Sequence, residues 1–414
     1  MNKLKFTFFL IGVLVLGFFF GLYADDVEKI SSDIQNEYKK ITDTEIEIAT
    51  VTNEAAVNSL DFSNAPRFSN YQDLVRYLKE CKKNLETKVS VMTTNGFSPN
   101  INELIQDVAC WNLKSTTYSN GSENIGIVFE FTNYPGERVA YAYLHNDTSF
   151  LTNEEKKLYK IAVQIVNEAK KFSSGHTNPA LYRELYIHDA ITQRVNYYSG
   201  SGSKNLQRAQ SAIGALIDGK ANCQGYSDAF YMLGTMCRLN VDKIAGNAGN
   251  ESHMWNVVNF GDDKFYFVDV TWDDASYTFS DTGEYSGHIY FNAPADVMTT
   301  HSWKNPPVNL QQHPDGRYFY YTEEFNNSDG EFFGAYLKTP QDALKYVAKR
   351  IAKGQNMNYV CSATYDKKYS EPQFAIKYLT NNLLPNIYGW RGSVRLNVST
   401  RGNYMFFTVE SKRG

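Results

Sequence analysis

The chain has 414 residues, room for two or three domains, and 43% of them are apolar, enough for a sizeable core. Its 41 basic and 45 acidic residues leave a net charge of −4, which argues against nucleic acid or an anionic membrane surface as partner. The 30 Tyr and 26 Phe form an aromatic surplus that core and sheet packing explains more simply than a glycan- or peptide-binding face.

Lys3 and Lys5 precede an uncharged run over 6–24 that stops at Asp25-Asp26. A basic start and an apolar stretch fit a secretory signal; Ala24 suits the last position before cleavage, while Leu22 is large for the position two before it. The run is also just long enough to span a bilayer. Residues 1–24 are therefore read as a signal peptide or, uncleaved, as an N-terminal anchor and the one expected membrane contact. Either way the body is exported to the cell surface or beyond.

Five cysteines in an exported chain leave at least one free thiol, for which Cys223 is the candidate. Cys81 and Cys110 fall on two predicted helices and could be bridged. Buried, unpaired thiols are nonetheless the preferred reading for them and for Cys237 and Cys361. No CxxC pair or His/Cys cluster has metal-ligand spacing, so neither metal nor cofactor is expected.

Residues 25–66 read as a linker with helical character at 33–40. A compact unit begins near Arg67. It has a helix over 71–85 (seam Leu74, Tyr77, Leu78, Cys81), a strand over 88–94, a helix over 101–110 and strands over 124–132 and 138–144. Next comes a long helix over 152–172, opened by Thr152 and Glu155 in capping-box spacing. A helix over 181–197 follows, and its apolar side of Tyr182, Leu185, His188 and Ile191 makes His188 a packed residue, not a catalyst. A Gly/Ser-rich loop over 196–204 could border a cleft. Near the end, PQDALKYV at 340–347 echoes YQDLVRYL at 71–78. A strand over 358–363, a helix over 372–383 and strands over 393–400 and 404–410 come after it. Residues 67–145 and 335–414 thus read as two small αβ modules, the second a repeat of the first, flanking a central domain over 150–305. Neither module carries a motif with chemistry; binding or spacing at the cell surface is their expected role.

The chemistry lies between Gly219 and Asp274. Gly219 breaks the chain and Asn222 is a good N-cap type. Tyr226, Phe230, Leu233 and Cys237 then recur at helical spacing, which puts Cys223 at the first turn of a buried helix. That place favours an anion and aims backbone N–H groups at whatever the sulfur attacks. Strands over 254–260 and 264–272, joined at Gly261-Asp262-Asp263, form a hairpin. With residue 253 opposite 271, Asp269 is the diagonal neighbour of His253 on one face; a slip of one residue would separate them. Thiol, imidazole and carboxylate then form the nucleophile, base and orienter of covalent acyl transfer. Each residue alone has a plainer reading, as a small buried hydrophobe or a satisfied polar group, but an Asp in a Phe/Val-rich strand calls for a partner. His288 and His301 are alternative bases in principle; the HMWN context favours His253. Asp273 and Asp274 read as solvated or as local acceptors.

CQGYS at 223–227, HMWNVV at 253–258 and VDVTWDD at 268–274, in that order, resemble the transglutaminase-like superfamily, its bacterial secreted members above all. Those members often share the upstream AIGALIDGK at 212–220. The resemblance covers roughly residues 180–305. It implies an α+β protein with a papain-like core, Cys223 as nucleophile, His253 as base and acid, and Asp269 as orienter. Gln224, Tyr226, Trp255, Asn256 and Trp272 are expected to support the site or line its cleft. The family's second oxyanion donor lies upstream of the Cys; Tyr197 and Tyr198 are the residues to consider. The implied reaction is acyl transfer from a peptide or isopeptide amide through a thioester, with hydrolysis favoured over cross-linking. A peptide or protein is the expected partner, and cell-wall peptide fits an exported chain. The alternative is a non-catalytic surface-binding protein that retains this fold.

Overall fold

The computed structural model describes residues 46–51, 62–118, 125–200, 203–261, 264–274, 287–303, 318–320, 336–337, 359–366, 392–401 and 404–413. The 1–24 segment and the helices expected at 33–40, 340–347 and 372–383 lie outside them. No helix among the described residues is long and apolar enough to cross a membrane.

The first sheet is built from β1 (Ile46–Val51), β2 (Arg67–Phe68), β3 (Lys88–Thr93), β4 (Asn112–Tyr118) and β5 (Ile125–Thr132), in the order β1-β4-β5-β3-β2. Helices α1 (Tyr71–Lys83) and α2 (Ile101–Val108) pack on it. Their starts are fixed by Asn70 and Asn100, whose side chains accept from Asp73 N and Asn102 N. Alternation in β3 buries Val89 and Val91 against Leu74, Leu78 and Leu104. The 25–66 stretch is more than a linker, because β1 within it pairs in parallel with β4. Its alternating IEIATV suits a sheet position.

The larger core holds α3 (Pro135–His145), α4 (Asn153–Phe172), α5 (Pro179–Thr192), α6 (Ser203–Ala209), a π-helical turn at Gly214–Asp218 and α7 (Cys223–Met236). Two short parallel strands, β6 (Asn196–Tyr197) and β7 (Lys220–Ala221), lead to α7. The main sheet follows: β8 (Asn240–Ala248), β9 (Glu251–Asn259), β10 (Tyr266–Val268), β11 (Phe291–Ala293) and β12 (His301–Ser302), ordered β11-β10-β9-β8-β12. Twelve of the fourteen residues of α7 are buried, which makes it the central helix.

Three sequence expectations change here. Residues 138–144 are not a strand but lie in α3: Pro135 takes the first helical position and Glu137 Oε2 accepts from Tyr134 N at 3.0 Å. Val139, Ala140 and Ala142 join the larger core, so this segment does not belong to the first module. The 181–197 helix stops at Thr192, and the Gly/Ser-rich loop contains α6.

The last sheet comprises β13 (Tyr336–Leu337), β14 (Tyr359–Asp366), β15 (Gly392–Arg401) and β16 (Tyr404–Arg413), ordered β13-β14-β16-β15. The β13–β14 pair is parallel and the other two are antiparallel. The sequence β2-β3-β5-β4 of the first sheet has the same order and directions.

The first module is fastened to the larger core by buried charges. Lys82 Nζ (α1) and Lys243 Nζ (β8) both reach Glu137 Oε1 (α3), at 3.0 and 2.6 Å. Lys243 also reaches Asp228 Oδ1 (α7) at 3.3 Å and lies 3.8 Å from the centre of the Tyr134 ring. Lys79 pairs with Asp242 at 2.7 Å. Two cations balance two anions, which is how four charges tolerate burial. Lys243→Met leaves Glu137 with one partner and Asp228 with none of opposite charge, so it is expected to cost about 3–5 kcal/mol in urea unfolding. Arg76→Ala, which breaks an exposed pair with Asp73, is expected to leave the midpoint in place.

Candidate active site

Asn222 caps α7: its Oδ1 accepts from Gln224 N at 3.1 Å and Gly225 N at 3.4 Å. Cys223 is therefore the first helical residue, among amides that have no partner within the helix. Gly225 lets this turn press against the chain before it. A Cβ there would lie 2.3 Å from Ala209 O and 2.8 Å from Ala221 Cβ.

His253 comes from β9. In the β9–β10 pairing Asn256 faces Val268 and Val258 faces Tyr266. That register, continued, sets 253 opposite 271, the one of the two registers considered that puts Asp269 on the face of His253. The β10 strand ends at Val268, and Asp269 opens a turn in which Asp273 N donates to Asp269 O. The Asp269 side chain, fully buried, accepts at Oδ2 from His253 Nε2 at 2.7 Å and at Oδ1 from Trp272 N at 3.2 Å. The Cys223 thiol lies near enough to the same imidazole to favour its charged form; with Nε2 engaged by Asp269, Nδ1 is the nitrogen left for sulfur. Cys223 and His253 are 6% and 8% exposed.

Burial works against a charged His253, but the Asp269 carboxylate outweighs it and the Cys223 contact adds to the effect, so the imidazole is pushed up to about 10. Burial works against ionised Asp269 too. The His253 charge and the hydrogen bonds from His253 and His301 hold it well below the usual carboxylate range.

The remaining motif residues stitch α7 to its surroundings. Ser227 Oγ donates to Trp255 O at 3.2 Å, and Asn256 Nδ2 donates to Ser227 O and Asp242 O. Tyr226 is fully buried, and its hydroxyl bonds Asp274 Oδ2 and Val195 O. It anchors the helix and does not line a cleft. Trp255, also buried, stacks on His253 with ring centres 5.9 Å apart. Trp272 lies 5.7 Å from His253 and is 38% exposed, at the mouth of the site. Gln224 is half-buried. Three buried polar atoms in this neighbourhood, Asn222 Nδ2, Gln224 Oε1 and Trp255 Nε1, have no hydrogen-bond partner. Tyr198 N donates to Ala221 O, so Tyr197 and Tyr198 lie beside the chain that leads into Cys223.

One contact here escaped sequence reasoning. His301 Nε2 donates to Asp269 Oδ2 at 2.8 Å, the same oxygen that His253 uses. A lone histidine 32 residues downstream carries no pattern that pairs it with Asp269; only the β12–β8 contact brings it there.

His288 takes part in a separate buried cluster. It bonds Asp189 Oδ1 at 2.8 Å and stacks on Tyr320, while His188 bonds Asp189 and Asp273. Asp273 also accepts from Tyr290 N. Asp273 and Asp274 thus act as local acceptors. The His253-Asp269-His301 and His188-Asp189-His288 sets are of metal-ligand type. Tetrahedral nitrogen and oxygen ligands at zinc distances sit roughly 3.3 Å apart. The 2.7–2.9 Å contacts along these sets are hydrogen-bond lengths. The described cysteines Cys81, Cys110 and Cys237 are free and buried, and burial pushes Cys110 up to about 12 and Cys237 to about 11.

No family model and no curated protein matches this chain. Among solved structures it is similar to one described as a TGase, at 14% identity and a TM-score of 0.25, over 55% of this chain and 59% of that one. It is also similar to one described as a putative protease from Parabacteroides distasonis, at 8% identity and a TM-score of 0.21, over 79% of this chain and 66% of that one. The chain spans less than two thirds of either. Likenesses this distant carry no argument about the site, which rests on its own geometry in a mixed helix-and-sheet protein.

The second cluster makes a stability prediction. Burial opposes a charged His188, but Asp189 and Asp273 raise it to about 9 from the ordinary 6.5. A raised histidine stabilises fully below its unfolded value and loses that contribution as pH rises through the folded one. The melting temperature is therefore expected to fall as pH rises from 6.5 towards 9, and His188→Gln to flatten that fall. Parallel curves for parent and variant would count against the account.

Proposed function

We propose that this chain is a thiol acyl-transfer enzyme with a transglutaminase-like core, acting on peptide or isopeptide amides at or outside the cell surface. The observation that carries the reading is the His253 imidazole bonded to the Asp269 carboxylate at 2.7 Å, with the Cys223 thiol, at the start of α7, near enough to favour the ring's charged form.

In this reading the Cys223 sulfur attacks the amide carbon while its proton resides on His253. The tetrahedral oxyanion is met by amides of the first turn of α7, Cys223 N the first of them. The C–N bond breaks as His253 gives its proton to the leaving amine, and a thioester remains on Cys223. Water, deprotonated by His253, attacks the thioester; the acid leaves and the thiol is restored. Asp269 keeps the imidazole oriented throughout and stabilises its charged form. An amine in place of water would give a cross-link, so the choice rests on what enters beside Trp272. Hydrolysis is favoured because an exported chain works in water. The matching strand orders of the first and last sheets support reading those modules as repeats that hold or space the enzyme at its substrate.

The first test is alkylation of the exported chain, read by mass spectrometry at each cysteine across pH. Cys223 is expected to label fastest at mildly acidic pH, and His253→Ala to slow it at least tenfold. Labelling no faster than an ordinary thiol, and indifferent to His253, would sink the proposal. On a peptide-amide panel, Cys223→Ala is expected to abolish turnover and Asp269→Asn to reduce kcat by roughly 10²–10⁴. Free acid as product, with no incorporation of an added primary amine, would mark hydrolysis.

A further inference from the structure

His301 lies outside the three residues assigned above and yet shares their central oxygen. His253 Nε2 and His301 Nε2 reach the same Asp269 Oδ2, at 2.7 and 2.8 Å. A carboxylate only accepts, so each nitrogen carries a hydrogen. Nδ1 of His253 is thereby the position left to take and give the thiol proton, and Nδ1 of His301 lies 3.5 Å from Thr300 Oγ1.

The placement is built into the sheet. His253 pairs directly with Gly246, and His301 with Ala248, on the two sides of β8. Residues 246 and 248 share a face, so both histidines project from it. Gly246 admits β12 and the Trp255 ring close to β8: a Cβ there would lie 2.3 Å from Ser302 O and 2.9 Å from the Trp255 ring. The His301 side chain is fully buried. Trp255, Trp272 and Tyr290 enclose it, with ring centres at 5.0, 4.7 and 5.6 Å. Asp269 and His253 are the charged or titratable groups that face it from the other strands, and Tyr290 is the titratable neighbour from the β10–β11 side. A rigid imidazole wedged among aromatic rings is a fixed donor. It stops Asp269 from turning away from His253, and Trp272 N holds the other oxygen.

We propose that His301 is a positioning residue, the fourth member of a Cys223-His253-Asp269-His301 relay, which locks the Asp269 carboxylate so that it can hold the His253 imidazolium. This rests on the acyl-transfer reading for its consequence but not for its geometry, and the two can be tested apart.

His301→Gln keeps an N–H donor; His301→Leu does not. In the full chain with ¹⁵N-labelled histidine, two downfield imidazole N–H resonances are expected. His301→Gln removes one and leaves the His253 signal in place, whereas His301→Leu shifts the His253 signal or exposes it to exchange with water. The second measurement is the pH profile of Cys223 alkylation by iodoacetate, an anion whose attack the imidazolium assists. Its basic limb is expected to move down by about one pH unit in His301→Leu, the equivalent of one lost charge-assisted hydrogen bond, and to stay in place in His301→Gln. An unmoved limb and an unchanged His253 resonance in a folded His301→Leu chain overturn the positioning role. If both resonances respond as stated while wild-type Cys223 shows no His253-dependent reactivity, the shared carboxylate stands and the acyl-transfer reading is what fails.

Discussion

A single buried carboxylate decides where the central helix lies. Asp228 Oδ2 accepts from Gly136 N at 3.0 Å and Ala212 N at 2.9 Å, and Oδ1 meets Lys243. Those three partners belong to the start of α3, the segment before the π-helical turn, and the middle of β8. Burial pushes the carboxyl above its usual range, and Lys243 and the two amides pull it back. A group with so much desolvation to offset tolerates little movement. Helix α7 is thereby indexed against two helical segments and a strand. Lys243 passes the constraint on to Glu137 and Lys82, and through them to the first module. The expected small flanking module is in this respect no appendage, since its charges complete the core of its neighbour.

The front end of that helix is where the indexing matters for chemistry. Asp228 lies five residues from Cys223, and between them Gly225, Tyr226 and Ser227 each serve the same placement. Gly225 admits a close backbone contact, Tyr226 bonds Val195 O and Asp274, and Ser227 bonds β9. On the facing strand Asn256 returns a bond to Ser227 O. The sulfur and the imidazole are thus set by four stitches that involve neither of them, which is the preorganisation a nucleophile–base pair requires.

Much of this was legible because local signals were strong. Asn222 before an apolar 3–4 repeat predicts the start of α7, and Thr152 with Glu155 predicts the start of α4, where Thr152 N and Glu155 N each find the other's side chain. Turn residues and alternation predicted the hairpin; its register stayed open between two choices until the β9–β10 pairing set it. What could not be read depends on long-range contacts. Strand β8 looks like a polar, Gly-rich interval because Lys243 is an inward-facing cation and Gly246 a spacer, roles visible only beside Glu137 and Trp255. Strand β1 sits in a polar stretch and gains its place from β4, more than sixty residues on. In α3 the alternation of Tyr and Ala imitates a strand, and only the Pro135 start and the fit of Val139 and Ala140 into the larger core decide for helix. The His301–Asp269 contact is a miss of the same kind, since it depends on the β12–β8 pairing.

The chain holds two histidine–carboxylate clusters made from the same residue types, and their comparison shows what turns such a cluster into chemistry. In the His188-Asp189-Asp273-His288 set both nitrogens of His188 are engaged by carboxylates, and Asp273 is further tied to Tyr290 N. These bonds tie α5 to the segment after β10. In the Asp269 set the partners are arranged so that one nitrogen, His253 Nδ1, is not claimed by a carboxylate and faces a thiol instead. Doubling the donors on Asp269 Oδ2 removes any alternative for that carboxylate. Leaving Nδ1 to sulfur keeps one proton mobile. In the proposed mechanism the difference between the two clusters is thus the one His253 nitrogen left to sulfur, beside the start of a helix whose position Asp228 has already fixed.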